Sequence, residues 1–284
     1  MLTLLIFSSL ILCIIICMFS ILQPGVNNFE NPHVTGIGII SMIKDPKNIE
    51  TWLQHHRDLG IRKFYIRLEG TPGLVSYLDS QSDVHFKIGK ASGVNEYEEI
   101  QTRQHNWVNE ALKLGRNDGI KWLVHIDADE LLDGEISETL NLPITTRTFW
   151  MQNKEAKFSK VPEKKDNCFV ASKVVDCGKH NNSCVAYQNG KSGGRTERDV
   201  TALGPHRMTS SNKSQSAKLK KVFVHHYESC DFDIFKKKFK SLSIQDKKIK
   251  IPFPYYKESI SAAKKNDEEK LYNIYKKYRV ENNY

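Results

Sequence analysis

The chain opens on an unbroken apolar run and then settles into regular alternation. Leu2 to Leu22 carries no charged residue and consists largely of Leu, Ile, Phe and Cys. At 1.5 Å per residue, about 20 such positions span a bilayer core of roughly 30 Å. No Lys or Arg precedes the run, and Gln23-Pro24-Gly25 follows it without an Ala-x-Ala pattern, so it reads as an uncleaved single-pass anchor rather than a removed leader. Residues 23–33 are polar, with Pro, Gly and Asn, and read as a stem. Val34 to Met42 predicts a first buried strand. Asp45-Pro46 predicts an N-cap and a first helical proline, with Ile49, Trp52, Leu53 and His56 at helical spacing and Gly60 as the stop. Strands follow at Arg62–Leu68 and Val84–Ile88, a helix at Asn95–Leu114 and a strand at Trp122–Ile126. Such alternation predicts an α/β fold, a mostly parallel sheet with helices on both faces.

The second half is less regular. Thr145–Met151, Phe169–Val175 and Lys221–His226 predict strands, Asn181–Met208 a polar loop with several glycines, and Phe232–Leu242 and Ile260–Val280 helices. The expected organisation is an anchor over 1–22, a stem over 23–33, a main domain over 34–250 and a basic helical segment over 251–284.

Candidate chemistry gathers where one apolar strand ends. Trp122-Leu123-Val124-His125-Ile126 runs into Asp127-Ala128-Asp129-Glu130. Buried carboxylates are costly unless paired or ligated, and ligands bind at the carboxyl ends of strands in open α/β sheets. In extended backbone Asp127 and Asp129 share one face, which suits a hard divalent cation with positions open to phosphate oxygens. The alternative is a strand running into an acidic surface turn.

Charge adds little to this. The net charge of +9 comes with no aromatic RNA-binding motif, zinc-finger spacing or Gly-rich phosphate loop, so a solvated basic face is a better reading than nucleic-acid binding. Cys168, Cys177, Cys184 and Cys230 fit no zinc pattern. They allow two disulfides in three connectivities, or four thiols. Two sequons, at Asn181 and Asn212, suit a lumenal location.

Four stretches together resemble the metal-dependent GT-A glycosyltransferases of the family 2-like and family 92 group. They are Ile43-Lys44-Asp45 with Glu50-Thr51-Trp52-Leu53-Gln54-His55-His56 and Phe64-Tyr65-Ile66; Gln101-Thr102-Arg103-Gln104 leading to Trp122 and His125–Leu131; Gly190-Lys191-Ser192 with Arg195 and Gly204-Pro205-His206; and Val224-His225-His226-Tyr227. The resemblance implies a Rossmann-like mixed sheet flanked by helices. It also implies sugar transfer, with inversion, from a nucleotide-diphosphate donor, UDP being the commonest, to a hydroxyl on a glycan or glycoconjugate, in an ER- or Golgi-type membrane protein with a lumenal domain.

The same resemblance implies a divalent cation, Mn²⁺ or else Mg²⁺, held by Asp127 and Asp129 with His226 or His206, and next His225, as a further ligand. Glu130 and His125 would support that site. Lys44, Glu69, Arg103, Lys191 and Arg195, with Asp127, are the implied donor-binding set. Asp199, Asp231 and Glu155 are unranked candidates for the base. Two departures stand out: family members commonly carry Asn-Glu where Lys44-Asp45 stands, and an acidic residue directly after the second strand, where Arg67-Leu68-Glu69-Gly70 stands here. Competing classes are a metal-dependent phosphoesterase or nuclease, which needs a second ligand constellation, and a non-catalytic glycan-binding relative.

Overall fold

A computed structural model describes residues 36–90, 99–158, 160–170, 172–175, 190–211, 215–244 and 254–280. These belong to one compact unit that begins at Thr35. Strand β1 (Ile37–Ile43) leads to α1 (Ile49–Asp58), β2 (Phe64–Glu69), a 3₁₀ turn with α2 (Val75–Asp79), β3 (Val84–Gly89), α3 (Ile100–Asn117) and β4 (Trp122–His125). Next come β5 (Glu130–Gly134), α4 (Ser137–Leu140), β6 (Thr146–Phe158), β7 (Ser172–Val175), β8 (Lys191–Arg195), β9 (Val200–Ala202), β10 (Met208–Ser210) and β11 (Gln215–His226). Helices α5 (Phe232–Ser243), α6 (Pro254–Lys264) and α7 (Glu268–Arg279) close the order.

The main sheet runs β3-β2-β1-β4-β8-β6-β11-β5, with β7 added beside β6. Strands β3, β2, β1 and β4 are parallel, as their βαβ connections require. β8 enters antiparallel to both β4 and β6, β6 and β11 run parallel, and β5 closes the edge antiparallel to β11. The molecule is thus a mixed α/β sheet flanked by helices, of the Rossmann-like kind. One core lies between sheet and α1 around Trp52, Phe64, Trp122, Phe149 and Val224. A second, around Trp107, Leu112, Leu123 and Met208, lies under α3. A third joins α5, α6 and α7 through Phe235, Phe239, Tyr255, Leu271 and Tyr275.

Several elements depart from the pattern reading. The supposed loop over Asn181–Met208 contains β8, a central strand. Lys191-Ser192-Gly193-Gly194-Arg195 has no apolar residue to announce it, yet every position is buried. Its glycines leave room for neighbours: a Cβ on Gly193 would lie 2.3 Å from the Phe149 ring. The helix after β1 starts at Asn48 rather than Asp45, whose N–H donates to Thr71 Oγ1 at 2.8 Å. The last predicted helix is two, broken at Asn266 in a left-handed conformation with Asp267 capping α7.

Single-pass membrane placement is corrected here: among the described residues no helix is long and apolar enough to cross a membrane. The run over 1–22 and the stem over 23–33 lie outside the described residues, as do Cys177, Cys184, Asn181 and Asn212. Of the four cysteines, Cys168 and Cys230 form a disulfide, with Cα atoms 5.5 Å apart. It joins the 160–170 segment to the turn before α5.

Candidate active site

β1, β2 and β4 all end at the same edge of the parallel half-sheet, the edge at which open α/β sheets bind ligands. Lys44 and Asp45 follow β1 there, Glu69 ends β2, and Asp127 follows β4. The Asp127–Glu130 segment is a tight turn, not the extended strand that the spacing suggested. Glu130 N–H donates to Asp127 O at 3.1 Å, and Asp127 N–H donates to Glu130 Oε2 at 2.7 Å. The two aspartates therefore face different partners. Gln104 Nε2 donates to Asp127 Oδ1 at 3.1 Å, and the Lys191 ammonium pairs with Asp127 Oδ2. Asp129 instead faces His226, with Oδ2 3.7 Å from Nε2. Its carbonyl accepts from Tyr227 N–H at 2.7 Å, which ties the end of β11 to the turn.

Exposure separates the carboxylates by task. The side chains of Asp127 and Asp129 are 31% and 46% exposed, whereas Glu130 is 5% and Lys191 1% exposed. Lys191 Nζ also lies 3.2 Å from Glu130. Lys191 and Glu130 thus brace the turn from beneath, and the two aspartates remain partly exposed. Burial disfavours the Lys191 ammonium, but Asp127 and Glu130 hold its pKa above the ordinary lysine value. Burial likewise pushes against ionised Asp127, and Lys191 outweighs it, holding that carboxyl well below its usual range. For Glu130 burial prevails, to about 7.

His226 stands opposite Glu155 in the parallel β6–β11 register, and its Nδ1–H donates to Glu155 Oε1 at 2.6 Å. Burial opposes the imidazolium, but Glu155 and then Asp129 and Glu130 overcome it, raising the pKa to about 10. His206 donates from Nδ1 to Gly190 O at 2.9 Å, and His125 from Nδ1 to Pro205 O at 2.8 Å. Burial, then the Lys191 charge, lowers both to about 4, so each is a neutral imidazole. His125 Nε2 is buried without a hydrogen-bond partner. His225 points away, 3.3 Å from Asp133.

Other expected residues are placed differently. Glu69 is engaged by Arg103 Nε at 3.0 Å and by Arg67 Nε at 2.8 Å, so its acceptor oxygens already face two guanidiniums. Lys44 is exposed and lies over Gly70. Arg195 is brought to the opposite end of β4, in register with Trp122. Its Nε donates to Thr146 O at 2.7 Å, and it stacks 4.4 Å from the Trp122 ring centroid. None of the three base candidates has an uncommitted carboxylate. Asp199 pairs with Ser210 Oγ at 2.5 Å and Arg147 at 3.6 Å; Asp231 caps α5 and meets Lys47 at 2.7 Å; Glu155 holds His226.

Pattern reading missed how α1 fixes this site. Trp52 Nε1 donates to Glu130 O at 2.7 Å and His55 Nε2 to Leu132 O at 2.7 Å, while His56 Nε2 accepts from Leu132 N–H at 3.1 Å. Its three aromatic and imidazole side chains therefore hold the backbone of β5, which directly continues the acidic turn. The helical spacing of Trp52 and His56 showed that they face inward, but not that they face a backbone edge.

Gly190 sets the entry of Lys191. It has φ +54°, and a Cβ there would lie 1.9 Å from Met151 O and 2.9 Å from Trp150 Nε1. Gly190→Ala is expected to lower unfolding free energy by about 1–3 kcal/mol, the usual scale of enforced backbone strain. Urea denaturation at pH 7 checks this, and an unchanged midpoint would refute it.

No family model and no curated protein sequence matches the chain. Among solved structures, HddC from Yersinia pseudotuberculosis complexed with GMP-PN is similar at 9% identity and a TM-score of 0.33, covering 67% of this chain and 93% of that one. The 4-diphosphocytidyl-2C-methyl-D-erythritol synthase of Anaerococcus prevotii DSM 20548 is similar at 9% identity and a TM-score of 0.32, covering 69% of this chain and 92% of that one.

Proposed function

We propose that the chain is a glycosyltransferase that moves a sugar from a nucleotide-diphosphate donor, a UDP-sugar first among candidates, to a hydroxyl of a glycan or glycoconjugate. The observation that carries the reading is the pair of partly exposed carboxylates, Asp127 and Asp129, one paired with buried Lys191 and the other facing His226, at the ligand-binding edge of the sheet. Departure of a nucleoside diphosphate develops negative charge, and fixed positive charge at that edge stabilises it.

These residues fit a divalent cation of a particular kind. Among the described residues no group of three or more His, Cys, Asp and Glu is disposed to hold a metal, so a closed protein cage does not fit. Two partly exposed carboxylates would instead suit a Mn²⁺ or Mg²⁺ ion shared with donor phosphates, since such ions are often bound through one or two carboxylates plus phosphate oxygens. Asp127 and Asp129 would hold it. When bound, the ion acts as a Lewis acid toward the leaving diphosphate. Lys191 keeps Asp127 ionised and holds one oxygen of its carboxylate. Gln104 fixes the second oxygen of that carboxylate, and Glu130 keeps the turn closed. The phosphoesterase reading is less favoured, because the described residues supply no second ligand constellation for a two-metal site.

The test is release of nucleoside diphosphate from a panel of nucleotide sugars, with Mn²⁺ and with EDTA. Release is expected with Mn²⁺ and is lost with EDTA. Asp127→Asn is expected to lower it by at least roughly 100-fold while the protein stays folded. Cleavage of phosphodiesters in place of nucleotide sugars, or full activity of Asp127→Asn, would overturn the reading.

A further inference from the structure

We propose that Arg279, from the last helix, is a positioning residue of this site that acts through Glu155 on His226. The kinetic part of the claim rests on the transferase reading above; the structural part does not.

Three buried side chains make the connection. His226, Glu155 and Arg279 are 6%, 4% and 4% exposed. Glu155 and His226 face each other because β6 and β11 run parallel in a register that pairs them. Oε1 of Glu155 accepts from His226 Nδ1 at 2.6 Å and from Asn153 Nδ2 at 3.2 Å, and Oε2 accepts from Arg279 Nη1 at 3.1 Å. Arg279 Nη2 donates to Ala156 O at 3.2 Å, so one guanidinium grips both the side chain of residue 155 and the backbone of residue 156. The following residue, Val280, forms a parallel bridge with Phe158, which pins the end of α7 along β6. With its ring held at Nδ1, His226 directs Nε2 toward Asp129 Oδ2, 3.7 Å away.

Arg279 is too deeply buried to meet a ligand, so any effect it has on turnover passes through Glu155. Without it, Glu155 keeps a buried charge with one cation fewer, and removing one partner of a buried pair is costly for the group left behind. The ring of His226 then loses its fixed acceptor geometry. Partners that orient a histidine beside an ion site commonly cost 10–100-fold in affinity or activity when removed. Lysine can restore the charge opposite Glu155, but it lacks the planar fork that reaches residue 156 as well.

The full-length protein, labelled with ¹⁵N-histidine and free of metal, is compared as wild type, Arg279→Met and Arg279→Lys. The readout is the low-field Nδ1–H resonance of His226, assigned by its loss in His226→Gln. It is expected in wild type and Arg279→Lys and lost in Arg279→Met. In parallel, kcat for nucleotide-sugar turnover should fall roughly 10–100-fold in Arg279→Met with donor KM changed less than about threefold, and Arg279→Lys should recover most of it. Retention of the resonance in Arg279→Met overturns the proposal, whether or not kcat falls. Should Arg279→Met fail to fold, Arg279→Gln replaces it with the same readout: loss of the resonance supports the proposal, and its retention overturns it. If wild type turns over no nucleotide sugar, the transferase reading fails and the resonance alone decides the positioning claim.

Discussion

Lys191→Met is expected to abolish turnover and to lower folding stability by about 3–5 kcal/mol, the usual cost of removing one partner of a buried ion pair. Lys191 is 1% exposed and pairs with both Asp127 and Glu130. Methionine fills much the same volume, so packing is kept while the charge is lost. Two carboxylates then share the turn with no ammonium beneath them. The deficit should depend on pH with a defined sign. Without the cation both carboxylates bind protons more tightly in the folded state than in the unfolded chain. The variant is therefore least impaired in mild acid and more impaired as pH rises. Urea unfolding at pH 5 and pH 7 measures this, and a variant as stable as wild type at pH 7 would remove Lys191 from its assigned role.

The metal-free wild type is expected to lose a few kcal/mol of stability between pH 6.5 and pH 10. The imidazolium of His226 faces Glu155 on β6 and Asp129 and Glu130 on the turn, with Arg279 behind Glu155. Its pKa rises from 6.5 unfolded to about 10 folded. A raised value means that the contribution is whole below 6.5 and fades as pH climbs through the folded value. Glu130, raised from 4.5 to about 7, acts with the same sign, and its share is gone above pH 7. Asp127 and Glu228 are depressed, so their contributions are lost only in acid and leave this window unchanged. Unfolding free energies at pH 6.5, 8 and 9.5 in EDTA test the prediction. Equal values at 6.5 and 9.5 would contradict it, and Glu155→Gln should flatten the wild-type slope.

What the pattern made legible followed from side-chain chemistry along single strands. β1, β2, β3 and β4 were all legible as strands, and the acidic end of β4 stood out because carboxylates so placed need partners. β8 was illegible for the opposite reason. Its glycines are there because Phe149 and the neighbouring strands crowd it, and its Lys and Arg are buried through ion pairing and stacking rather than through apolar character. The acidic motif was read as extended because spacing alone cannot tell a strand end from a turn that its own Glu130 closes. Histidines presented a similar ambiguity. His206 and His226 are both candidate ligands from sequence, yet one donates to Gly190 O and the other faces Asp129. The partners of the base candidates were not visible in sequence: Asp199, Asp231 and Glu155 each meet a cation that only the tertiary structure brings close.

The wiring of the turn also bears on how the protein acquires its site. Lys191 and Asp127 are 64 residues apart, His226 and Glu155 71, and Arg279 and Glu155 124. Contacts of that separation are reached only after large loops have closed, and closure entropy is lost before such contacts compensate. The parallel half-sheet, built from neighbouring βαβ units, can condense while these three pairs are still unmade. Assembly of the site is therefore the entropically costlier part of the fold, and the Arg279–Glu155 contact closes the longest of these three separations.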